Sequence, residues 1–311
     1  MCGIDKPFLI TVDTEGDNLW TWKKGTKITT RNAEFIPRFQ DLCEKYGLKP
    51  TYLTNYEMAQ DRGWTRYSSQ KASQDLCEIG LHIHAWNTPP FYDLQDKFGG
   101  NPYITEYPED IIEAKVENSI LLLQEAYETD IKSHRSGRWA LNSQYLNILS
   151  KHGITVDCSV TPELDLSNCP GCSQMNGNDY RGYPTQPYYI IDGMLEVPMT
   201  SRHIRKFTDG GIKHNIKNLL LGEDMWLRPI HNSLSELIYL TKRVTKGCSS
   251  PYLEFMVHSS ELMPGGSIFF KTDEEIEHLY SVMDQYFNFI TNMGFTGMTL
   301  QQFAEVYSNA K

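Results

Sequence analysis

The stretch Pro7–Asp17, PFLITVDTEGD, is a short apolar run that leads into three acidic residues. Apolar and β-branched residues bounded by polar ones are typical of a buried strand, so this run predicts the first strand of a sheet. Side chains on a strand alternate between its two faces, so Asp13 and Glu15 are expected on the same face. The sequence therefore places two carboxylates together where the first strand ends.

Strand-like and helix-like segments alternate along the rest of the chain. Alternation of this kind indicates βαβ units and a parallel sheet, which is an α/β fold. The further predicted strands are LKPTYLTN, IGLHIHAW, IKSHRSG, ITVDCSV and YLEFMVHSS. Helices are predicted over 34–46, 68–78, 108–128, 142–153, 232–245 and 272–294, with capping boxes at Thr272/Glu275 and Thr299/Gln302 and a cap at Asn142.

Two regions depart from this alternation. Residues 87–107 are rich in Pro, Tyr, Gly and Asn, and they predict a long loop. Residues 161–230 are irregular except for a predicted hairpin around Asp192-Gly193. No linker or repeat separates the chain into parts, so residues 1–311 are predicted to form one domain with an irregular insertion around 161–230.

Composition and charge exclude several classes of protein. The 311 residues are 40% hydrophobic and 22% charged, which supports a packed core. The net charge of −10 disfavours nucleic acid and anionic membranes as partners. No apolar run approaches the ~20 residues of a membrane span. The first residues lack the features of a signal peptide, so we expect a cytoplasmic protein.

Seven scattered cysteines fit reduced thiols. Cys169 and Cys172 form a single CxxC, CPGC. A Pro-Gly turn flanked by thiols explains this motif, and half of a zinc site is the alternative. A structural zinc site needs two further ligands, and no second CxxC is present.

The third predicted strand carries His82 and His84, which share a face by the same alternation. Parallel strands place their carboxyl ends at one edge of a sheet, so these imidazoles are expected near Asp13 and Glu15. Two histidines and one carboxylate with open positions are a catalytic metal arrangement, which leaves the other carboxylate as a base. The alternative is that the four side chains are unrelated strand residues.

Two later strand ends add polar groups to the same edge. SHRSGRW ends a strand with Arg135, which we expect to pair with the base carboxylate and keep it ionised. EFMVHSSE ends a strand with His258, a candidate general acid. Each residue is also compatible with a solvent-facing position at a strand end.

Taken in order, these motifs resemble those of the polysaccharide deacetylases, carbohydrate esterase family 4, which are built on the NodB homology domain. TVDTEGD is similar to the family's TFDDG motif, and GLHIHAW is similar to GxHxxxH. RSGRW and MVH are similar to the third motif, led by arginine, and to the late Leu-x-His motif. LEVP lies where the fourth, acidic motif is expected.

The resemblance assigns roles and also shows departures. It implies that Asp13 is the base and that Glu15, His82 and His84 hold a divalent ion, zinc by family precedent, with Asp17 in reserve. The family's second histidine would fall on Trp86, so His84 is the substitute ligand. Gly137 and Arg138 stand where the family has proline and tyrosine, which implies a site reshaped around a different sugar.

The resemblance implies a distorted (β/α) barrel of seven or eight parallel strands and the removal of N-acetyl groups from a sugar or polysaccharide precursor. Arg135 and His258 then join Asp13 as catalytic residues, and Glu196 is expected to orient one of them. Residues expected to bind substrate are Trp86, Tyr92, Tyr103, Arg138 and Trp139, with a backbone N–H near Arg138 or Trp139 stabilising the oxyanion. The alternatives are a glycosidase on the same barrel and a non-catalytic carbohydrate-binding protein.

Overall fold

A curled, mostly parallel sheet organises the computed structural model, which describes residues 6–23, 25–174, 177–205, 222–230 and 233–309. The strand order is β10-β1-β2-β3-β4-β5-β7-β6, and β11 also pairs with β1. Its strands are β1 (Pro7–Thr14), β2 (Pro50–Thr54), β3 (Glu78–Ile83), β4 (Ser133–Ser136), β5 (Val156–Asp157), β6 (Tyr188–Ile191), β7 (Met194–Glu196), β10 (Leu253–His258) and β11 (Thr296–Met298). Only β6 runs antiparallel to its neighbour among these described strands. The sheet forms a half-barrel, which confirms the prediction of a distorted (β/α) barrel.

Helices connect the strands, as the alternating pattern predicts. They are α1 (Ile36–Lys45), α2 (Tyr56–Ala59), α3 (Arg62–Ser73), α4 (Glu109–Tyr127), α5 (Ser143–Lys151), α6 (Leu234–Thr245), α7 (Asp273–Asn292) and α8 (Leu300–Asn309). The predicted caps at Asn142, Thr272/Glu275 and Thr299/Gln302 are confirmed. None of the described helices combines the length and the apolar character that a membrane crossing requires.

The helix predicted over 68–78 is wrong in its position. Helix α3 begins earlier, because the Asp61 carboxylate accepts a hydrogen bond from the backbone N–H of Trp64 and caps Arg62–Ser73. Asp75 has a φ of 57°, which breaks the helix, and β3 then starts at Glu78.

The irregular region contains more strand than its sequence indicates. The hairpin predicted around Asp192-Gly193 is confirmed by the antiparallel pair β6 and β7. A second antiparallel pair joins β8 (Ser201–Ile204) to β9 (Glu223–Trp226). Residues 175, 176 and 206–221 of this region, and position 232 of the predicted helix 232–245, lie outside the described residues.

The two faces of the sheet are buried in two different cores. On the outer face, the Phe8 ring of β1 lies 6.0 Å from that of Phe287 on α7. On the interior face, Leu9 packs in one cluster with Leu53 and Val156. Alternation along β1 therefore places Leu9, Thr11 and Asp13 in a row toward the interior, with Asp13 at the carboxyl end.

Candidate metal centre and surrounding cavity

Glu15, His82 and His84 form a buried three-residue cluster at the carboxyl ends of β1 and β3. The Oε2 atom of Glu15 lies 2.6 Å from Nε2 of His84 and 3.6 Å from Nε2 of His82. The two Nε2 atoms are 3.2 Å apart. The structure thus brings together the three residues that the sequence nominates as metal ligands.

Hydrogen bonding fixes which atom of His82 faces this cluster. Nδ1 of His82 lies 2.8 Å from the carbonyl oxygen of Arg135 and donates to it, so Nε2 is the ring nitrogen that faces the cluster. Burial lowers the pKa of His82, but the carboxylates of Asp13 and Glu15 raise it by more. For His84, burial lowers the pKa and outweighs the opposing effect of Glu15.

The donor set fits a divalent cation. Two imidazole nitrogens and one carboxylate oxygen converge within 4.8 Å of one another, in a site that is almost closed to water. Three such atoms cannot all be satisfied by one shared proton, whereas zinc and similar ions bind this combination and keep a position open for substrate.

Asp13 lies beside the cluster and is held by Arg135. The guanidinium Nη1 donates to Oδ1 of Asp13 at 2.8 Å, and both side chains are buried. Burial raises the pKa of Asp13, but Arg135 and the imidazoles of His82 and His258 lower it by more, so the net shift is downward. Asp13 is therefore an ionised acceptor at neutral pH.

The same guanidinium also donates to Glu254, a residue whose part in the site the sequence interpretation missed. Glu254 lies on β10 and accepts a second hydrogen bond from the Thr11 hydroxyl at 2.9 Å. Burial raises the pKa of Glu254 to about 7, although Arg135 opposes that effect. Arg135 is thus shared by two carboxylates, of which Asp13 keeps its charge more readily.

His258 ends β10 opposite Asp13 in the strand register. Its Nδ1 atom lies 2.9 Å from Oε1 of Glu261, and its Nε2 atom is 3.7 Å from Oδ2 of Asp13. Nη2 of Arg228 lies 2.8 Å from Oε1 of Glu261 and 2.9 Å from the same Nδ1 atom of His258. The ring of Trp20 packs edge-on against His258, with 4.9 Å between the ring centres. Glu261 and Arg228 therefore orient the imidazole at Nδ1 and leave Nε2 toward the other polar groups.

These groups open into a cavity of about 350 Å³. Its wall consists of Asp13, Glu15, Leu19, Trp20, His82, His84, Trp86, Asn101, Arg138, Trp139, Arg228 and His258. The wall includes three of the residues predicted to bind substrate, namely Trp86, Arg138 and Trp139. It is polar at the cluster and aromatic around it, which suits a sugar ring.

Two predicted substrate residues lie elsewhere. Tyr92 is 45% exposed, packs against the ring of Tyr107 at 6.2 Å and is not part of the cavity wall. Tyr103 is buried, and its ring is covered by the guanidinium of Arg138 at 4.0 Å. Aromatic residues in a loop are used for packing as often as for binding, and the sequence does not separate the two uses.

Two acidic residues have other contacts than those predicted. Asp17, the reserve ligand, accepts hydrogen bonds from the guanidinium and the backbone N–H of Arg31, so it fixes the turn after β1. Glu196 accepts from the backbone N–H of Val160 at 2.9 Å. Glu254 contacts Arg135 and Glu261 contacts His258, which are the contacts expected of Glu196. The motif EFMVHSSE contains both residues, and strand alternation from His258 places Glu254 on the interior face.

The CPGC turn packs against the loop that precedes α4. The Glu106 carboxylate accepts hydrogen bonds from the backbone N–H groups of Cys172, Ser173 and Gln174. Cys169 is exposed and Cys172 is buried, and the described residues form no three-ligand cluster at this turn. The turn therefore has a packing role in the described structure.

Comparison with known proteins identifies the fold. No protein-family model matches the chain, and no curated protein matches it. The structure is similar to that of a protein from Parabacteroides distasonis provisionally described as a glycoside hydrolase/deacetylase, with a TM-score of 0.65, 11% identity and coverage of 99% of this chain and 72% of that one. A provisionally described polysaccharide deacetylase from Mycobacterium smegmatis gives a TM-score of 0.50, 14% identity and coverage of 96% and 94%.

The likeness extends to a 4-alpha-glucanotransferase from Thermococcus litoralis, with a TM-score of 0.57 and 13% identity, covering 98% of this chain but 40% of that one. At these identities the comparisons show a shared fold. The resemblance to the polysaccharide deacetylases that the motifs predict is thereby confirmed, and the chain has their NodB-like fold.

Proposed function

We propose that this chain, with the fold of the polysaccharide deacetylases, is a metal-dependent hydrolase that removes the N-acetyl group from a sugar or polysaccharide precursor. One observation carries the proposal. The Glu15–His82–His84 cluster, the Asp13–Arg135 pair and the His258–Glu261 pair all open into a single cavity. Amide hydrolysis is helped by a Lewis acid, a base and an acid. The cluster would hold an ion that supplies the Lewis acidity, and Asp13 and His258 would supply the base and the acid.

In this proposal the cluster binds a divalent ion, and zinc matches its nitrogen and oxygen donors best. Such an ion supplies Lewis acidity, which acidifies a water molecule and polarises the acetyl carbonyl. His82 is held in the ligating orientation by its hydrogen bond to the Arg135 carbonyl. Glu15 supplies a negative charge that offsets the charge of the ion.

Asp13 takes the proton of the attacking water. Its pKa is low because the charge of Arg135 and the nearby imidazoles overcome the effect of burial, so the carboxylate is ready to accept at neutral pH. His258 delivers a proton from Nε2 to the sugar nitrogen as the C–N bond breaks, while Glu261 holds Nδ1. Oxygen from water joins the acetyl carbon, and acetate and a free amine leave.

Replacing Asp13 with Asn tests this assignment. Acetate release from N-acetylated sugars is expected to fall by about 10²–10⁴, the usual contribution of a general base. Asp17→Asn is the matched control, because Asp17 lies in the same motif but bonds Arg31. We expect a loss below about tenfold for that control. Equal rates for wild type and Asp13→Asn would remove Asp13 from the mechanism.

The same assay separates the competing functions. Release of reducing sugar without acetate would indicate a glycosidase, in which Asp13 acts with another carboxylate. Glycan binding by a protein that takes up no divalent ion and releases no acetate would indicate a binding protein. Elemental analysis of the purified chain therefore accompanies the acetate measurement.

A further inference from the structure

We infer that Arg138 makes the cavity selective for an N-acetylated sugar that carries an anionic group, a carboxylate or a phosphate. The inference rests on the proposed function, since it names the class of substrate for that site. Arg138 lines the cavity together with the aromatic residue Trp139 and the loop residue Asn101.

Arg138 stands out among the charged residues of the wall. Asp13 is paired with Arg135, Glu15 with His84, and Arg228 with Glu261. Arg138 instead donates to two neutral acceptors, the carbonyl oxygens of Asn101 and Pro170. No described carboxylate lies within ion-pair distance of it, so its positive charge is not neutralised within the described part of the chain.

The backbone holds this side chain in place at a cost. Arg138 and Trp139 have φ angles of 58° and 61°, which are unfavourable for residues other than glycine. Strained backbone of this kind persists where surrounding contacts impose it, and it concentrates at functional sites. The preceding Gly137 passes so close to β3 that a Cβ atom there would lie 2.5 Å from the Ile83 carbonyl oxygen.

Contacts from neighbouring loops also hold the guanidinium of Arg138 in a fixed position. It stacks on the Tyr103 ring at 4.0 Å, and the two carbonyls that it bridges belong to loops that are tied together. Gly100 donates to the carbonyl of Gly171 at 3.1 Å. Two carbonyls use only two of the five N–H groups of an arginine, so donors are left for a ligand. A fixed guanidinium binds a carboxylate or a phosphate through paired hydrogen bonds.

Three related sugars test the inference: N-acetylglucosamine, its 1-phosphate and N-acetylmuramic acid, which carries a carboxylate. The wild type is expected to show a kcat/KM about 10- to 100-fold higher for an anionic sugar than for the neutral one, as one charge-assisted contact allows. Which anionic sugar is preferred identifies the phosphate or the carboxylate as the ligand.

Variants assign the preference to this side chain. Arg138→Gln is expected to lose the preference, and Arg138→Lys is expected to keep part of it because the charge remains. Arg38→Gln is the matched control, since Arg38 also stacks on a tyrosine, Tyr280, at 3.8 Å, but pairs with Glu277. It removes the same charge from a distant surface and should leave the preference intact.

Binding to metal-free protein gives a second readout that does not depend on turnover. Calorimetry in the presence of a chelator measures the three sugars without any contribution of the ion to anion binding. Tighter binding of an anionic sugar by the wild type, lost in Arg138→Gln, supports the inference even if no acetate is released from any sugar. Equal binding of all three sugars by the wild type overturns it, and that measurement stands whether or not Arg138→Gln folds.

Discussion

Two histidine–carboxylate networks lie on opposite faces of the same sheet, and their difference shows what makes one of them a candidate site. The register pairs His82 of β3 with Arg135 of β4, so both point to the interior. His134, one residue earlier on β4, points to the outer face.

The outer network is closed. Nδ1 of His134 lies 2.6 Å from Oδ1 of Asp157, and Nε2 lies 2.8 Å from the hydroxyl of Tyr145 on α5. Both ring nitrogens therefore have a partner, and the side chains of His134 and Asp157 are fully buried. Burial lowers the pKa of His134 more than Asp157 raises it, so the ring is neutral and its single proton has a defined place.

The interior network is open. Nε2 of His82 and Nε2 of His84 face each other and Glu15, and Nδ1 of His84 has no hydrogen-bond partner among the described residues. Two imidazole nitrogens and one carboxylate oxygen that converge in this way are a donor set suited to a divalent cation, on which the proposed function depends. A histidine beside a carboxylate is thus not in itself a site, and the distinction is that two Nε2 atoms and one carboxylate converge at the cavity wall.

The largest expected effect comes from removing one imidazole from each network. His82→Ala should abolish activity and weaken divalent ion binding by about 100-fold or more, since loss of a ligand's hydrogen-bond partner alone costs about 10- to 100-fold. His134→Ala should keep the ion but lower the free energy of unfolding by about 3–5 kcal/mol, because Asp157 is left buried without its partner. Calorimetric ion titration and urea denaturation of the metal-free proteins measure the two quantities.

The distinction between the interior and outer networks would be wrong if His82→Ala and His134→Ala exchanged these effects. Ion affinity that survives in His82→Ala, or is lost in a folded His134→Ala, would place the ion outside the interior cluster. Apo protein is used for the denaturation curves because a bound ion would stabilise the folded state by mass action.

A smaller effect concerns the pH dependence of stability. Burial raises the pKa of Glu254 from 4.5 to about 7, despite Arg135, so the folded chain binds a proton that the unfolded chain releases between these values. Stability is then expected to fall as pH rises from about 4.5 to 7, by about 3 kcal/mol at most. Glu254→Gln should remove this part of the slope, which denaturation at several pH values in that window would show.

Other groups titrate in the same window, so the difference between the two curves is the relevant quantity. Parallel curves for wild type and Glu254→Gln would mean that Glu254 stays ionised beside Arg135. Asp13 and Glu254 would then both be anions that pair with the Arg135 guanidinium. The ion pair between Asp13 and Arg135 would be weaker as a result.

The sequence predicts the fold well where one strand shows alternating polarity or one helix has a recognisable cap. Alternation along TVDTEGD and GLHIHAW places Asp13, Glu15, His82 and His84 on the interior face, and the caps of α5 and α7 lie at the predicted residues. The pattern fails for β11, whose three residues have no distinctive sequence and pair with β1 only through tertiary packing.

Side-chain partners are harder to predict, because they depend on distances between strands. Glu196 and Glu254 are both buried acids on strands, and the sequence does not show that Glu254 lies beside Arg135 while Glu196 lies next to the outer network. The Asn101 and Pro170 carbonyls that hold Arg138 come from two remote loops. Such contacts follow from the curl of the sheet and the packing of its loops, and not from any local spacing.

The smallest expected effect tests whether the outer network, His134 with Asp157 and Tyr145, contributes only to stability. Tyr145→Phe removes the hydroxyl that donates to Nε2 of His134 and leaves that nitrogen buried without a partner. The free energy of unfolding should fall by about 1–2 kcal/mol, while ion affinity and acetate release stay at wild-type levels. A change in either functional quantity would mean that the two faces of the sheet are coupled through β4, since His134 and Arg135 are adjacent on that strand.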